Sequence, residues 1–264
     1  MALEEGSKPK SQSQIQKIQT EKVNREVLNC VKRGMRYTQI LDIYPHLSHV
    51  IRKLMGRRPP RTHSTKCIYI YGPPGTGKST QVQATLQAIM KQHPQLDFYS
   101  KMGGMSKFWD GYDNQPFILI DDPGLFNIKF NEDELHAFKN VISAGAHTVE
   151  IKGSHMCFDS KLVIMISNCK PHMFADSAGY AARAVIDRID GSRAFRPAVY
   201  VGNRLDALNL VDVIYQACNR VAKHFYDCCI DIERLYEDLC PVDNWHLPSP
   251  VDSISSEEED FSVN

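Results

Sequence analysis

The segment 72–80 combines residue types and a spacing that bind the phosphates of a nucleotide. Residues 72–79 match the pattern G-x-x-x-x-G-K-[S/T] at every fixed position. Glycines allow the backbone to curl so that successive N–H groups face a phosphate chain. The pattern predicts that Lys78 contacts the β- and γ-phosphates and that the Ser79 hydroxyl binds Mg²⁺. The predicted nucleotide-binding residues are Gly72, Pro73, Pro74, Gly75, Thr76, Gly77, Lys78, Ser79 and Thr80.

Two carboxylates come directly after an apolar run further along the chain. Residues 117–120 are Phe, Ile, Leu and Ile, and Asp121 and Asp122 follow them. A carboxylate at the end of a strand can hold Mg²⁺, and its neighbour can act as general base for an attacking water. We predict that Asp121 binds mainly the metal and that Asp122 acts mainly as the base.

A third polar position, Asn168, follows the apolar run 162–166 and Ser167. A neutral amide both donates and accepts hydrogen bonds, so it suits a contact with the γ-phosphate or with the attacking water. A turn-forming Asn after a strand is the alternative interpretation. We predict a catalytic role for Asn168 together with Lys78, Asp121 and Asp122.

Strand and helix patterns alternate around these residues. Strands are predicted at 67–71, 97–101, 117–121, 148–151 and 161–166, with a further short one at 199–201, and helices at 78–92 and 132–143. Such alternation is typical of an α/β fold in which helices flank a central parallel sheet. The strand before the phosphate-binding loop and the helix after it are the context that this motif requires.

The predicted organisation has five parts. Residues 1–21 form a disordered polar and basic arm, and 22–62 a helical linker or oligomerisation segment with breaks near Gly34 and Pro45. The ATPase core covers 63–204, one or two C-terminal helices follow in 205–240, and 241–264 form a disordered acidic tail.

The formal net charge of zero hides an uneven distribution. Residues 1–66 contain 14 Lys and Arg against 5 Asp and Glu, whereas residues 227–264 contain 1 against 11. A basic N-terminal side favours contact with an anionic polymer, although two solvated flexible ends explain the same asymmetry. The eight cysteines are scattered without a paired C-x-x-C spacing, which favours free thiols and a reducing compartment over a disulfide framework or a zinc site. No apolar run approaches the roughly 20 residues of a membrane span, so we expect no stable span.

The order of the motifs, from the phosphate-binding loop to the Asp pair and Asn168, resembles the superfamily 3 helicases of small viruses. This resemblance implies an AAA+-like P-loop NTPase that uses ATP and Mg²⁺, binds single-stranded DNA or RNA, and forms a homo-oligomer, expected to be a hexameric ring. Such helicases place a basic hairpin before the last motif, and residues 149–161 match it. The resemblance therefore assigns nucleic-acid binding to Lys152, with His155 in support.

Two relatives within this superfamily compete. Residues 108–112 (Phe-Trp-Asp-Gly-Tyr) are similar both to the Rep proteins of circular single-stranded DNA viruses and to the helicase of picorna-like RNA viruses. Residues 148–153 are closer to the Rep form. A full-length Rep begins with an endonuclease domain, whose His-hydrophobe-His and Tyr-x-x-Lys motifs are not found here, so we expect no DNA nicking.

The family also implies an arginine from a neighbouring subunit that stabilises charge on the γ-phosphate. Residues 184–189 keep one of the two arginines of the family's segment, so Arg188 is the first candidate and Arg193 the second. Asp187 stands where the family has the other arginine, which is a departure from the pattern. Three functions remain open: a Rep-like replication motor, a membrane-bound RNA helicase of the RNA-virus type, and a non-catalytic ATP-binding assembly module. The first is expected in the host nucleus and the second in the cytoplasm.

Overall fold

The computed structural model describes residues 11–56, 61–101, 108–122, 132–145, 147–171, 183–185, 187 and 198–239. The helices in these ranges include α1 (Gln12–Lys32), α2 (Tyr37–Ile43), α3 (Ser48–Met55), α4 (Lys78–Gln92), α5 (Glu132–Val141), α6 (Arg204–Leu208), α7 (Leu210–Val221) and α8 (Ile232–Leu239). The strands are β1 (Lys66–Tyr71), β2 (Phe98–Lys101), β3 (Phe117–Asp121), β4 (Thr148–Ile151), β5 (Ser154–Cys157), β6 (Leu162–Ser167) and β7 (Val199–Tyr200). The predicted acidic tail, 241–264, lies outside the described residues.

Five strands form one parallel sheet in the order β2-β3-β6-β1-β7. β6 lies between β1 and β3, with Leu162 opposite Lys66 on one side and opposite Phe117 on the other. Both faces of the sheet are covered, so its central strands are continuous apolar runs without alternation. The predicted α/β fold with a central parallel sheet is confirmed, with strand limits shifted by one residue at β1, β2, β6 and β7.

Two hydrophobic layers cover the sheet. One face packs against α4, α7 and α8 through residues such as Ile68, Leu86 and Ile214. The other face packs against α5 and a cluster of aromatic side chains that includes Tyr69, Phe138 and Phe158. Opposite faces of β1 therefore serve different layers, as the two-residue period of a strand requires.

The strand predicted at 148–151 has the expected limits but lies outside the parallel sheet. β4 pairs with β5 in an antiparallel hairpin whose turn contains Lys152 and Gly153. Gly153 has a φ of +78°, a conformation that glycine adopts without strain. The hairpin that the family resemblance implied is thus present.

The N-terminal helices form a third cluster, centred on Val27, Ile40 and Ile51. The predicted breaks occur where expected, with Gly34 (φ +83°) after α1 and a short turn that begins at Pro45 after α2. The prediction of disorder up to residue 21 is wrong from Gln12 onwards. Ser11 and Gln14 form a capping box, in which each side chain accepts the backbone N–H of the other, and this stabilises the first turn of α1.

A buried carboxylate joins these helices to the sheet. Asp113 accepts hydrogen bonds from the backbone N–H groups of Tyr37 (2.6 Å) and Thr38 (3.0 Å) at the start of α2. Arg36 pairs with Asp97 at 2.7 Å just before β2. Across the described ranges, no helix has the length and apolar character needed to cross a membrane.

Candidate nucleotide and nucleic-acid sites

The loop between β1 and α4 lies at the carboxyl end of the parallel sheet. Gly77 (φ +86°) ends the loop, and α4 begins at Lys78. Gly72 approaches the backbone so closely that a Cβ there would overlap the carbonyl oxygen of Val201. The glycines of the motif therefore allow both the tight turn and the packing of β7 against the loop. The first N–H groups of α4 have no partner within the helix, which makes this end suited to an anion.

Lys78 is buried within the loop that it follows. Its Nζ donates to the carbonyl oxygens of Gly72 (2.8 Å) and Pro73 (2.6 Å) and lies 3.4 Å from Oδ1 of Asn168. Burial lowers the pKa of Lys78, and the charge of Asp121 opposes this shift. The ammonium is thus held at the site by neutral acceptors, which a phosphate oxygen can replace with a stronger, charge-assisted bond.

The predicted residues meet around one cavity of about 290 Å³. It is lined by Pro74, Gly75, Gly77, Lys78, Ser79, Thr80, Asp121, Asp122, Ile166, Ser167 and Asn168. Gly72, Pro73 and Thr76 lie behind this surface, where their oxygens contact Lys78. A hydroxyl from Ser79 and carboxylates from the Asp pair are the hard oxygen donors that Mg²⁺ prefers, so the donor set fits this metal.

The two carboxylates have different environments. Asp121 is half-buried at the end of β3, opposite Ile166 of β6. Asp122 is exposed, and its backbone N–H donates to the Ile166 carbonyl at 3.0 Å. Its φ of +46° is uncommon for a residue with a side chain, although Asp tolerates it better than most. Both carboxylates line the cavity.

Two side chains that the sequence analysis missed shape the turn at Asn168. The Ser167 hydroxyl accepts the backbone N–H of Cys169 at 3.1 Å, and the Tyr69 hydroxyl donates to the Cys169 carbonyl at 2.8 Å. Burial raises the pKa of Tyr69, so its hydroxyl keeps the proton that it donates. A tyrosine between the aliphatic residues of a buried strand was the available signal, because a buried hydroxyl requires a partner.

The hairpin presents the two predicted nucleic-acid residues to solvent. Lys152 lies at the tip with its side chain 80% exposed. His155 on β5 is opposite Glu150 of β4 in the register of the hairpin. Asp110 holds the tip: its carboxylate accepts the Lys152 backbone N–H at 3.0 Å and lies 3.3 Å from the Lys152 ammonium. The hydrogen bond from this backbone N–H, followed by the nearby positive charge, lowers the pKa of Asp110.

The segment before Asp110 lies alongside the hairpin. The backbone of Phe108 forms an isolated parallel β-bridge with Glu150, and the Trp109 N–H donates to the Glu150 carbonyl at 2.8 Å. The buried ammonium of Lys101 donates to the Phe108 carbonyl at 2.7 Å, while Phe108 as a residue is 46% exposed. An exposed aromatic ring beside a basic tip is an arrangement that suits a single-stranded nucleic acid. The sequence did not single out Phe108, because similarity marked the segment without indicating its neighbours.

Both candidate arginines, Arg188 and Arg193, lie outside the described residues, and their roles remain predictions. No disulfide joins the described cysteines, and no group of three or more His, Cys, Asp and Glu in the described ranges is placed to hold a metal.

Comparison with known proteins agrees with this geometry. A family model described as RNA helicase matches residues 68–169, the stretch from β1 to the turn after β6. The replication-associated protein of pigeon circovirus is 30% identical over 171 residues, which cover 62% of this chain and 49% of that protein. The replication-associated protein of human associated cyclovirus 1 is 32% identical over 132 residues, or 50% of this chain and 44% of the relative. The RNA1 polyprotein of raspberry ringspot virus is 31% identical over 149 residues, or 51% of this chain and 6% of the polyprotein.

Residues 68–169 are therefore similar to helicase domains of viral proteins, and the predicted resemblance to the superfamily 3 helicases is confirmed. The domain is similar both to replication-associated proteins and to picorna-like polyproteins. The chain spans about half the length of the replication-associated proteins that it matches.

Proposed function

We propose that this protein is an ATP-driven, Mg²⁺-dependent nucleic-acid helicase that acts in viral-type genome replication. The observation that carries the proposal is the meeting of Lys78, the Asp121–Asp122 pair and Asn168 around one cavity at the end of the sheet. These residues come from three different elements, and their side chains match the parts that ATP hydrolysis needs.

Each residue of the site has a distinct role in the proposed reaction. Backbone N–H groups of the loop and the start of α4 bind the phosphates, and Lys78 leaves the carbonyls of Gly72 and Pro73 for the β- and γ-phosphates. Ser79 and Asp121 hold Mg²⁺, which when bound neutralises charge on the phosphate oxygens. Asp122 takes a proton from the attacking water, and Asn168 orients that water or contacts the γ-phosphate.

The proposed ring supplies the remaining groups. Arg188, or Arg193 in its place, reaches the γ-phosphate of the neighbouring subunit, and residues 22–60 contribute to assembly. Lys152 and His155 contact the phosphates of one strand, and the exposed ring of Phe108 stacks on a base. Because the contacts proposed for Lys152 and His155 are to phosphates, they favour neither DNA nor RNA.

Two observations support different polymers. The replication-associated relatives favour single-stranded DNA, whereas the family model described as RNA helicase and the polyprotein relatives favour RNA. The test is ATP turnover by the purified protein alone, with single-stranded DNA, and with single-stranded RNA. Stimulation by DNA alone supports the Rep-like motor, and stimulation by RNA supports the RNA-virus type.

The lysine of the loop provides the blank for this assay. Lys78→Ala should lower turnover by about 100-fold or more, because the bridging phosphate contact is lost. Lys91→Ala is the matched control, since Lys91 is an exposed lysine on the same helix that pairs with Asp238 at 3.6 Å. Turnover that survives in Lys78→Ala contradicts the site, and no turnover with either polymer favours an ATP-binding assembly module.

A further inference from the structure

A groove of about 480 Å³ lies between α1 and α3, away from the residues of the proposed motor chemistry. Its floor contains three partly buried aliphatic side chains, Leu28, Val50 and Leu54. Exposed basic residues surround this floor: Arg25 on α1 and His49 and Lys53 on α3. The groove therefore combines an apolar base with a positively charged rim.

Two of the three side chains on the floor of the groove lie outside the buried cluster of these helices. Their buried cluster consists of Val27, Val31, Ile40, Ile51 and Met55. Leu28 and Val50 are not members of that cluster, although each is next in sequence to a residue that is. Their partial exposure leaves apolar surface that a ligand would remove from water, at about 25 cal/mol per Å².

The charges around the groove define what would bind there. Residues 11–56 contain eight Lys and Arg against three Asp and Glu. An acidic peptide with apolar side chains complements both the rim and the floor. A phosphate backbone complements only the rim, because it offers no aliphatic or aromatic group to the floor.

The chain itself contains a segment of this kind. Residues 251–261 carry Val251, Ile254 and Phe261 among five acidic residues, and 241–264 have no Lys or Arg. α8 ends at Leu239, and the eleven residues 240–250 can reach roughly 35 Å when extended. We propose that the groove between α1 and α3 binds the acidic segment 251–261 of the same chain.

Hydrogen–deuterium exchange of the full chain tests this docking. The variant Glu257→Gln, Glu258→Gln, Glu259→Gln, Asp260→Asn removes four of the five negative charges of the segment without shortening it. Amides of residues 24–28 and 49–54 should exchange about threefold faster or more in this variant, because docking stabilises both helices against local opening. The difference should disappear at about 1 M salt, where the Debye length is near 3 Å.

A charge exchange separates docking from a general effect of charge. Arg25→Glu with Lys53→Glu should also speed exchange, and adding Glu257→Lys, Glu258→Lys and Glu259→Lys to that variant should restore protection. Lys17→Glu with Lys32→Glu is the matched control on exposed positions of α1 outside the groove, and it should behave as the unmodified chain does.

Three outcomes overturn the proposal. Exchange that is unchanged by the Glu-to-Gln variant shows that the segment does not occupy the groove. Protection that rises with protein concentration assigns the groove to a second copy. Protection that requires added single-stranded oligonucleotide assigns it to nucleic acid instead.

Discussion

The hydroxyl of Tyr69 is bonded to the residue that follows the predicted catalytic residue Asn168. It donates to the carbonyl of Cys169, directly after Asn168, and replacing it by Phe removes that bond without changing the shape of the ring. We expect Tyr69→Phe to lower kcat by about tenfold, because a small displacement of Asn168 impairs the geometry of the transition state. ATP affinity should stay nearly unchanged, since the Lys78 loop keeps its own contacts. Steady-state kinetics and nucleotide titration measure the two effects.

Tyr71→Phe is the control for this prediction. Tyr71 is on the same strand, and its ring centroid lies 6.1 Å from that of Tyr69. A purely structural role of Tyr69 would lower thermal stability and leave kcat of the folded protein unaltered. That result, or equal loss of kcat in both variants, would reject a positioning role.

At the residue level, the sequence was sufficient to predict the site residues that belong to a short motif or follow a predicted strand. Lys78 and Ser79 belong to one short motif, and Asp121, Asp122 and Asn168 follow apolar runs whose ends meet in a parallel sheet. Tyr69 and Asp110 escaped prediction because their partners are 100 and 42 residues away. Contacts at that separation depend on packing, which no local pattern specifies.

One ion pair at the tip of the hairpin bears on the proposed contact with nucleic acid. Asp110 both fixes the tip through the Lys152 N–H and places a negative charge beside the Lys152 ammonium. Asp110→Asn keeps an acceptor for the N–H but removes the charge. We therefore expect tighter binding of a single-stranded oligonucleotide and a salt slope steeper by about one, because one more cation is available to phosphate. Fluorescence anisotropy over a range of salt concentrations measures both.

Asp238→Asn tests whether any lost carboxylate has this effect. Asp238 pairs with Lys91 across α4 and α8, so its removal changes the net charge equally. If both variants increase affinity alike, the effect comes from net charge and the hairpin assignment fails. Unchanged affinity in Asp110→Asn would also contradict a phosphate contact by Lys152.

Elements were predictable where a period or a boundary signal was strong. The buried strands and α4 were found within one residue of their limits. α1 was assigned to a disordered arm up to residue 21, although Ser11 and Gln14 have the spacing of a capping box. The place of β4 needed the family resemblance, because its own sequence predicts a strand but not its partner.

For the whole molecule, one buried region links the hairpin, α5 and the chain that leads to β1. The guanidinium of Arg61 donates to the carbonyls of Asn140 (2.7 Å) and Val141 (3.0 Å), at the end of α5. Its Cζ also lies 5.0 Å from the centroid of the Phe158 ring. The ring of His147 is tilted against the same phenylalanine, with the two centroids 6.0 Å apart. Burial, together with the charge of Arg61, lowers the pKa of His147 to about 4.

This environment makes the free energy of unfolding depend on pH. Unfolded His147 has a pKa of about 6.5, so between that value and about 4 the unfolded chain binds more protons than the folded one. The free energy of unfolding therefore falls as the pH drops below about 6.5, by about 1–2 kcal/mol at pH 5 from this residue. His63 acts in the same direction, because burial and Lys161 lower its pKa.

Urea unfolding at pH 7 and pH 5 isolates the contribution of His147. His147→Asn cannot take up the proton, so its loss of unfolding free energy between the two pH values should be smaller than that of the unmodified chain. His136→Asn, at an exposed position of α5, should leave the loss unchanged. An equal loss in all three proteins would mean that groups other than His147, such as His63 and the carboxylates, set the acid sensitivity. In that case the contacts of Arg61 would stabilise this buried region independently of pH.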